Sequence, residues 1–262
     1  MIPSRRRNDR KDRKDRGGKP PQTPGGGEWI WGRHAVAAAV SNPRRPDLKR
    51  LVLAPGKMVD GKDRALPAVE TLDNAGIARL LPQGAVHQGY ALLAGPIDTV
   101  ALEELMEPAE GLLVMLDQVT DPQNVGAILR SAAALGARGV IVQDRHAPPL
   151  SGAMAKAAAG AADIVPLARV VNLSRALDAL AEAGWRTLGL DGEAPEALHE
   201  VLDFSPTVLV LGSEGEGLRR LVREHCDVTA RIPMGGAFES LNVATAAAIA
   251  LYEASKPRRR HG

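Results

Sequence analysis

Several features are scarce or missing in this chain of 262 residues, and each excludes a class of protein. A single cysteine, Cys226, allows no internal disulfide, so we expect a cytoplasmic setting. Three Trp, two Tyr and two Phe are too few for base stacking to be the main contact with nucleic acid. This argues against RNA-recognition-motif and OB-type modules. No apolar run approaches the ~18 residues of a membrane span, and no secretory signal is expected.

Sequence motifs for several cofactors are also missing. The chain has no G-x-x-x-x-G-K-[ST] phosphate-binding loop and no G-x-G-x-x-G dinucleotide fingerprint. Its six histidines show neither metal-ligand spacing nor the H-E-x-x-H pattern. We therefore expect no metal ion, no P-loop nucleotide and no nicotinamide cofactor.

Charge is concentrated at the two ends of the chain, although the formal net charge is only +2. Residues 1–20 carry nine Lys and Arg against three Asp, and residues 256–262 carry four basic residues and no acid. Basic ends on a mildly acidic body are typical of a polyanion binder, while a solubilising or targeting tail is the alternative. We expect residues 1–27 to be a disordered basic tail and residues 257–262 to be a second basic tail.

Residues 28–97 are predicted to form a small mixed α/β domain. Helices are expected over residues 34–40 and 67–75, the second closed by Gly76. Short apolar runs at 50–53 and 90–93 predict strands, and Leu80-Leu81 is a further candidate. Residues 98–110 are interpreted as a linker with one helical turn.

Residues 111–256 form a second predicted domain, in which short apolar strands alternate with helices. Strands are predicted over 112–117, 139–143, 164–168, 185–190, 207–211 and 228–233, and helices over 123–135, 151–159, 173–183, 217–225 and 242–254. This alternation predicts a parallel sheet covered on both faces. Ligands of such sheets bind at the carboxyl ends of the strands.

A first segment of chemical interest leaves a strand and enters a helix at residues 117–130. Asp121 and Pro122 are a helix start signal, and Asn124 and Arg130 follow six residues apart. Taken alone, Asn124 is explained as a capping residue and Arg130 as a solvated helix charge.

A second segment has the spacing G-x-x-G-x-G at residues 212–217, again between a strand and a helix. Glu214 and Glu216 would repel a polyphosphate, so a ligand with a positive centre fits this turn better. A third segment runs from Ile232 to Asn242 and precedes an Ala-rich helix. Ser240 and Asn242 are candidates for its cap, which by itself explains both residues.

Taken in order, the three segments resemble one known family. They read N-x5-R at 124–130, G-S-E-G-x-G at 212–217, and I-P-M at 232–234 followed by E-S-L-N-V at 239–243. This resembles the SpoU (TrmH-like) group of the SPOUT superfamily, which are RNA ribose 2′-O-methyltransferases. The motifs G-R-H-A-V at 32–36 and V-H-Q-G-Y at 86–90 are similar to those of its substrate-binding domain. The whole folded chain thus resembles the subgroup that modifies a guanosine of large-subunit rRNA.

The resemblance implies a specific fold and cofactor. It implies a trefoil-knotted parallel-sheet methyltransferase domain, preceded by a small L30e-like α/β domain that binds RNA. It also implies a homodimer with the active site near the interface. The cofactor would be S-adenosylmethionine, with Gly212, Ile232 and Leu241 as its contacts.

The reaction implied by the resemblance is attack of a ribose 2′-hydroxyl on the sulfonium methyl group. Family precedent gives Arg130 the central role. The positioning groups would be Asn124, Glu214, Ser240 and Asn242. Because a guanidinium is essentially always protonated, Arg130 is interpreted as a phosphate clamp and hydroxyl orienter rather than as a base.

Other functions remain open from the sequence. A tRNA ribose methyltransferase is one, although a tRNA enzyme of this group needs no domain like that at 28–97. A non-catalytic RNA-binding factor in ribosome assembly is another, although it would not need all five polar residues. A nucleotide-dependent oxidoreductase would share the α/β layout but lacks the glycine fingerprint.

Overall fold

The structure is a computed structural model that describes residues 27–61, 64–145, 153–158, 160–203, 205–236 and 240–256. Three predicted segments lie wholly or partly outside these ranges: the tail predicted over 1–27, except for residue 27, the tail predicted over 257–262, and both ends of the helix predicted over 151–159. No helix within the described ranges is long and apolar enough to span a membrane. The described residues form two β-sheets flanked by helices.

The first sheet has four strands in the order β1-β4-β2-β3. These are β1 (Glu28–Trp31), β2 (Leu48–Leu53), β3 (Val69–Thr71) and β4 (Tyr90–Ala94). Strand β4 is antiparallel to β1 and β2, and β3 is parallel to β2. Helix α1 (Arg33–Ser41) packs on the face of Leu51 and Leu53, while α2 (Asn74–Leu80) packs on the face of Val52. We call this sheet with its two helices the four-stranded unit.

Three local predictions in this unit are wrong. The helix predicted over 67–75 is replaced by β3 and by the start of α2, and Leu80 ends α2 instead of forming a strand. The cause is Asp73, whose Oδ1 accepts a hydrogen bond from the backbone N–H of Gly76 at 2.7 Å and so caps α2. Gly76 therefore lies in the first turn of a helix and does not close one. Strand β1 was not predicted.

The second sheet has six parallel strands, which confirms the predicted parallel sheet. Its strands are β5 (Leu112–Leu116), β6 (Gly139–Gln143), β7 (Leu167–Val170), β8 (Arg186–Leu190), β9 (Thr207–Leu211) and β10 (Val228–Ala230), in the order β10-β8-β9-β5-β6-β7. The strand predicted over 164–168 is shifted, because residues 161–163 form a 3-10 turn and pairing begins only after Pro166. The strand predicted over 228–233 is shorter and ends at Ala230.

Helices cover both faces of this sheet, as predicted. On one face lie α4 (Pro122–Ala134), α5 (Ala153–Ala158), α7 (Leu198–Val201) and α9 (Val243–Ser255). On the other lie α3 (Leu102–Met106), α6 (Leu173–Glu182) and α8 (Arg220–Glu224). Gly126 lets α4 approach α5 closely, since a Cβ there would lie 2.4 Å from the Cβ of Ala157. We call this sheet with its helices the six-stranded unit.

Candidate active site

A cavity of about 570 Å³ opens at the carboxyl ends of β8 and β9, where the parallel sheet predicts a ligand site. Its size is that of a small-molecule pocket. Six residues singled out from the sequence line it: Gly212, Glu214, Ile232, Ser240, Leu241 and Asn242. The second and third segments of the sequence therefore meet around one cavity.

Residues 212–217 of the glycine-rich turn at 212–218 form one wall of the cavity. Ser213 and Gly217 exchange two backbone hydrogen bonds of 3.1 and 3.0 Å, which close the turn. A Cβ on Gly212 would lie 2.0 Å from the carbonyl carbon of Gly217, so only glycine fits there. Gly215 and Gly217 adopt left-handed φ values of +86° and +67°. The backbone conformation of the turn therefore requires glycine at these positions. Because glycine has no side chain, peptide groups of the turn are exposed beside the cavity.

Three polar residues from three separate segments meet at this turn. Asn124 Nδ2 donates to Glu214 Oε1 at 3.1 Å, and Asn242 Nδ2 donates to the same oxygen at 2.5 Å. Asn242 Nδ2 also lies 3.0 Å from Asn124 Oδ1. The structure therefore brings together three of the five polar residues predicted for catalysis.

Helix starts place these asparagines. Asp121 caps α4 by accepting the N–H of Gln123 at 3.1 Å, and Asn124 follows in the first turn. Asn242 caps α9, because its Oδ1 accepts the N–H of Ala244 at 2.9 Å. Asn242 thus serves as a cap through its oxygen and as a donor to Glu214 through its nitrogen. Capping and a role at the site are compatible.

Glu214 carries a charge without a counter-charge among the described residues. Its hydrogen-bond partners within the described ranges are two neutral amides and the N–H of Val243, at 3.4 Å. It forms no ion pair within the described part of the chain. An exposed carboxylate on the wall of a cavity favours a ligand with a positive centre. This agrees with the charge argument from the sequence.

Arg130 lies elsewhere. It is exposed near the middle of α4 and does not line the cavity. Its side chain makes no hydrogen bond or ion pair with any residue in the described ranges. Ser240 lines the cavity, but the residues just before it, 237–239, lie outside the description.

Sequence reasoning missed one ion pair that holds the turn. Asp117, fully buried at the end of β5, accepts the backbone N–H of Arg219 at 2.9 Å and its Nε at 2.7 Å. Arg219 Nη2 donates to Gln143 Oε1, at the end of β6, at 3.0 Å. The pair ties the end of the glycine-rich turn to β5 and β6. Its signal in the sequence was an acid ending an apolar strand and an arginine directly after the turn.

The chain is similar to known RNA methyltransferases in sequence. Residues 111–252 match the model of the SpoU rRNA Methylase family. The chain is 40% identical over 249 residues to the 23S rRNA (guanosine-2′-O-)-methyltransferase RlmB of Pseudomonas aeruginosa, covering 88% of this chain and 97% of that protein. It is 39% identical over 243 residues to the RlmB of Pseudomonas syringae, covering 88% and 96%.

Solved structures show the same likeness. The SpoU methyltransferase AviRb from Streptomyces viridochromogenes superposes with a TM-score of 0.70 at 26% identity, covering 88% of this chain and 89% of that one. Its complex with the cofactor AdoMet gives 0.69 at 27% identity, covering 88% and 89%. The AdoMet-bound rRNA methyltransferase from Sinorhizobium meliloti gives 0.66 at 26% identity, covering 87% and 86%. The family model, the relatives and the fold agree, and the chain belongs to the SpoU rRNA methylase family.

Proposed function

We propose that this protein transfers a methyl group from S-adenosylmethionine to the ribose 2′-hydroxyl of a guanosine in 23S-type rRNA. The observation that carries this proposal is the 40% identity to an RlmB across 97% of that protein. The likeness spans both units of the chain, so it includes the unit that would bind the RNA. The cavity beside the glycine-rich turn supplies a matching cofactor site.

The residues at the cavity fit S-adenosylmethionine. The volume of about 570 Å³ accommodates a nucleoside-sized ligand, and Gly212 lines the cavity without a side chain. Gly212, Ile232 and Leu241 would hold it, while Glu214 offers an uncompensated negative charge to its cationic centre. When bound, the cofactor supplies an electrophilic methyl group.

The chain's own polar residues would orient the RNA ribose. Asn124 and Asn242 each donate one hydrogen bond to the Glu214 carboxylate, and a third joins the two asparagines. Ser240, on the cavity wall, would contact the substrate. Because a guanidinium is essentially always protonated, Arg130 would clamp an RNA phosphate and orient the attacking hydroxyl, and that phosphate would accept the hydroxyl proton.

A homodimer would explain the position of Arg130. Arg130 is exposed on α4 and does not line the cavity of its own chain. Ile249 and Tyr252 are exposed apolar residues on α9, the helix that packs beside α4. We propose that two chains associate through these helices and that the active site lies near the interface. We further propose that α9 passes through the loop containing the glycine-rich turn, as in a trefoil knot.

The four-stranded unit is proposed to be an L30e-like domain that binds the substrate RNA. Its two motifs meet, because the N–H of Arg33 donates to Gln88 Oε1 at 3.1 Å. Beside them is a groove of about 650 Å³ lined by Lys57, Asn74 and His87, among others. Lysine, amide and imidazole groups recognise phosphates and the edges of unstacked bases. The protein would act in the cytoplasm, and its basic ends would strengthen RNA binding.

Transfer of a tritiated methyl group tests the function. Purified protein and labelled S-adenosylmethionine are incubated with unmodified 23S rRNA and, separately, with unmodified tRNA, and the labelled ribose is mapped. We expect label at one guanosine of the rRNA. Label on tRNA alone would assign the protein to tRNA, and RNA binding without label would indicate an assembly factor.

A further inference from the structure

A buried ion pair joins the two units of the chain. Asp163, in the 3-10 turn before β7, accepts hydrogen bonds from Arg45 Nε at 2.8 Å and Nη2 at 3.2 Å. It also accepts one from Asn42 Nδ2 at 3.0 Å. The side chains of Arg45 and Asp163 are only 2% and 3% exposed. Asn42 and Arg45 directly follow α1 of the four-stranded unit, more than a hundred residues earlier in the chain.

Arg45 extends the connection into the four-stranded sheet. Its Nη1 donates to the carbonyl oxygen of Gly95, directly after β4, at 2.6 Å. Glu28, the first residue of β1, lies 3.5 Å from the same nitrogen. Arg64 fixes the loop from the outside by donating to the carbonyl oxygen of Asn42 at 2.7 Å. The arginine that Asp163 holds is thus part of the four-stranded unit's own framework.

The backbones of the two units also meet closely. A Cβ on Gly160 would lie 2.8 Å from the Cα of Ala35 in α1, and Gly160 has a left-handed φ of +88°. The segment predicted as a linker is hydrogen-bonded to both units. The N–H of Asp98 donates to the carbonyl oxygen of Arg44 at 2.7 Å, and that of Val100 to Leu167 at 3.0 Å. These hydrogen bonds restrict hinge motion between the two units at residues 98–100.

Arg44 adds a second cation that depends on the same carboxylate. Its Nε is buried and has no hydrogen-bond partner among the described residues. Burial lowers the pKa of Arg44, and the charges of Asp163 and Glu104 oppose that shift. Asp163 therefore compensates two arginines of the other unit. Removing one partner of a buried pair leaves the other charge uncompensated, which is strongly destabilising.

We propose that Asp163, Arg45 and Asn42 are positioning residues that hold the two units as one rigid body. The distance between the groove of the four-stranded unit and the cavity is then fixed, and this distance selects the ribose to be methylated. This rests on the proposed RNA methylation for the identity of the substrate. Domains of one chain move relative to each other by default unless a large, hydrophobic interface joins them. In this protein the buried ion pair and the close contact of Gly160 with Ala35 would take the place of such an interface. If the four-stranded unit moved relative to the cavity, it would present many riboses of the bound RNA to the cavity. A unit in a fixed position presents few.

The substitution Asp163→Asn tests the proposal, because it keeps the shape of the side chain and removes its charge. We expect KM for 23S rRNA to rise at least ~10-fold and label to appear at neighbouring riboses, while the Kd for S-adenosylmethionine changes less than about 2-fold. The matched control is Glu70→Gln, which breaks the Arg50–Glu70 pair inside the four-stranded unit. It should leave both constants and the labelled position unchanged. A purely structural role for Asp163 would lower stability and leave the position of the label unaltered.

A cross-link keeps the proposal testable if Asp163→Asn does not fold. A second groove, which lies between the two units beside Asp163, is lined by Ala38 and Ile164, and both can be changed to cysteine. A short bismaleimide bridge should leave the methylation rate within about 2-fold of the unbridged protein, with the same labelled nucleotide. Loss of methylation with cofactor binding intact would show that the units must move, and the proposal would be wrong.

Small-angle scattering of the free protein separates this proposal from the proposed function. A single compact conformation is expected for the wild-type chain and an ensemble of separated units for Asp163→Asn. An ensemble in the wild-type protein would overturn the rigid connection whatever RNA is methylated. If rigid wild-type protein methylates no RNA, the proposed function fails and the connection stands.

Discussion

Two carboxylates in this protein are each bound by asparagine, yet their surroundings are opposite. Asp163 is buried between the two units and paired with Arg45. Glu214 is exposed on the cavity wall and is held by Asn124 and Asn242, with no cation among the described residues. A buried carboxylate needs a counter-charge within the protein, because water no longer solvates it. A charge left uncompensated beside a cavity is available to a ligand.

Asp117 shows that the difference does not depend on distance from the cavity. It anchors one end of the turn that carries Glu214, but it is fully buried and paired with Arg219. A compensated carboxylate on β5 therefore anchors the base of the turn, and the turn carries an uncompensated carboxylate in its middle. The base fixes the turn, and the middle remains free to interact.

The largest effect is expected at Arg130. Like the two carboxylates, Arg45 and Arg130 differ in whether the protein itself supplies a counter-charge. Arg45 is buried and paired, whereas Arg130 is exposed and has no described partner. If its partner is the RNA phosphate and hydroxyl in the transition state, Arg130→Ala should lower turnover at least ~10²-fold, about 2.7 kcal/mol of barrier. The Kd for S-adenosylmethionine should be unchanged. Arg130→Lys should recover little, because an ammonium lacks the planar fork.

The matched control for Arg130 is Arg175→Ala, another exposed helical arginine. Single-turnover methylation assays compare the variants. An Arg130→Ala protein that keeps more than about half of the wild-type rate would make Arg130 an ordinary surface residue. The proposed mechanism would then be wrong.

An intermediate effect is expected from the ion pair at the base of the turn. Arg219→Ala removes the side-chain contacts to Asp117 and Gln143 and leaves a buried carboxylate without its counter-charge. We expect the Kd for S-adenosylmethionine to rise roughly 10-fold, because the turn loses its anchor. Calorimetric titration measures it. Arg220→Ala, which breaks only the exposed pair with Glu224, should bind the cofactor normally.

A smaller effect is expected at Glu214. A substitution there directly tests the comparison between the uncompensated Glu214 and the paired Asp163. Glu214→Gln should raise the Kd for S-adenosylmethionine about 5-fold, as for an exposed ion pair, and barely change that for the neutral thioether S-adenosylhomocysteine. The free energy of unfolding should change by less than about 0.5 kcal/mol, in contrast to Asp163→Asn. Equal losses for both ligands would mean that Glu214 holds the turn and does not contact the positive centre.

The sequence predicts the six-stranded sheet well because each of its strands is a short apolar run between helices. It predicts the four-stranded sheet poorly. Strand β3 is three residues long with exposed Val69 and Thr71, so it gives no apolar signal. The meeting of Asn124, Glu214 and Asn242 follows from family motifs, whereas the pairing of Arg45 with Asp163 joins residues 118 positions apart without a motif. Charges that only pair within the fold are invisible in a single sequence.

The smallest effect is expected at Cys226, a partly buried thiol near two carboxylates. Burial raises the pKa of its thiol to about 12, and the charges of Asp227 and Asp117 add to the shift. The thiol should therefore stay protonated at pH 8 and react with iodoacetamide only slowly, faster as pH rises toward 12. In the unfolded chain the thiol is ordinary and loses its proton near pH 8.5. Above that pH, ionisation of the thiol stabilises the unfolded state relative to the folded state, so the free energy of unfolding declines. Urea unfolding of wild-type and Cys226→Ala at pH 7.5 and 9.5 measures the difference. An equally steep decline in both proteins, or rapid alkylation of the folded chain at pH 8, would show that this thiol is accessible.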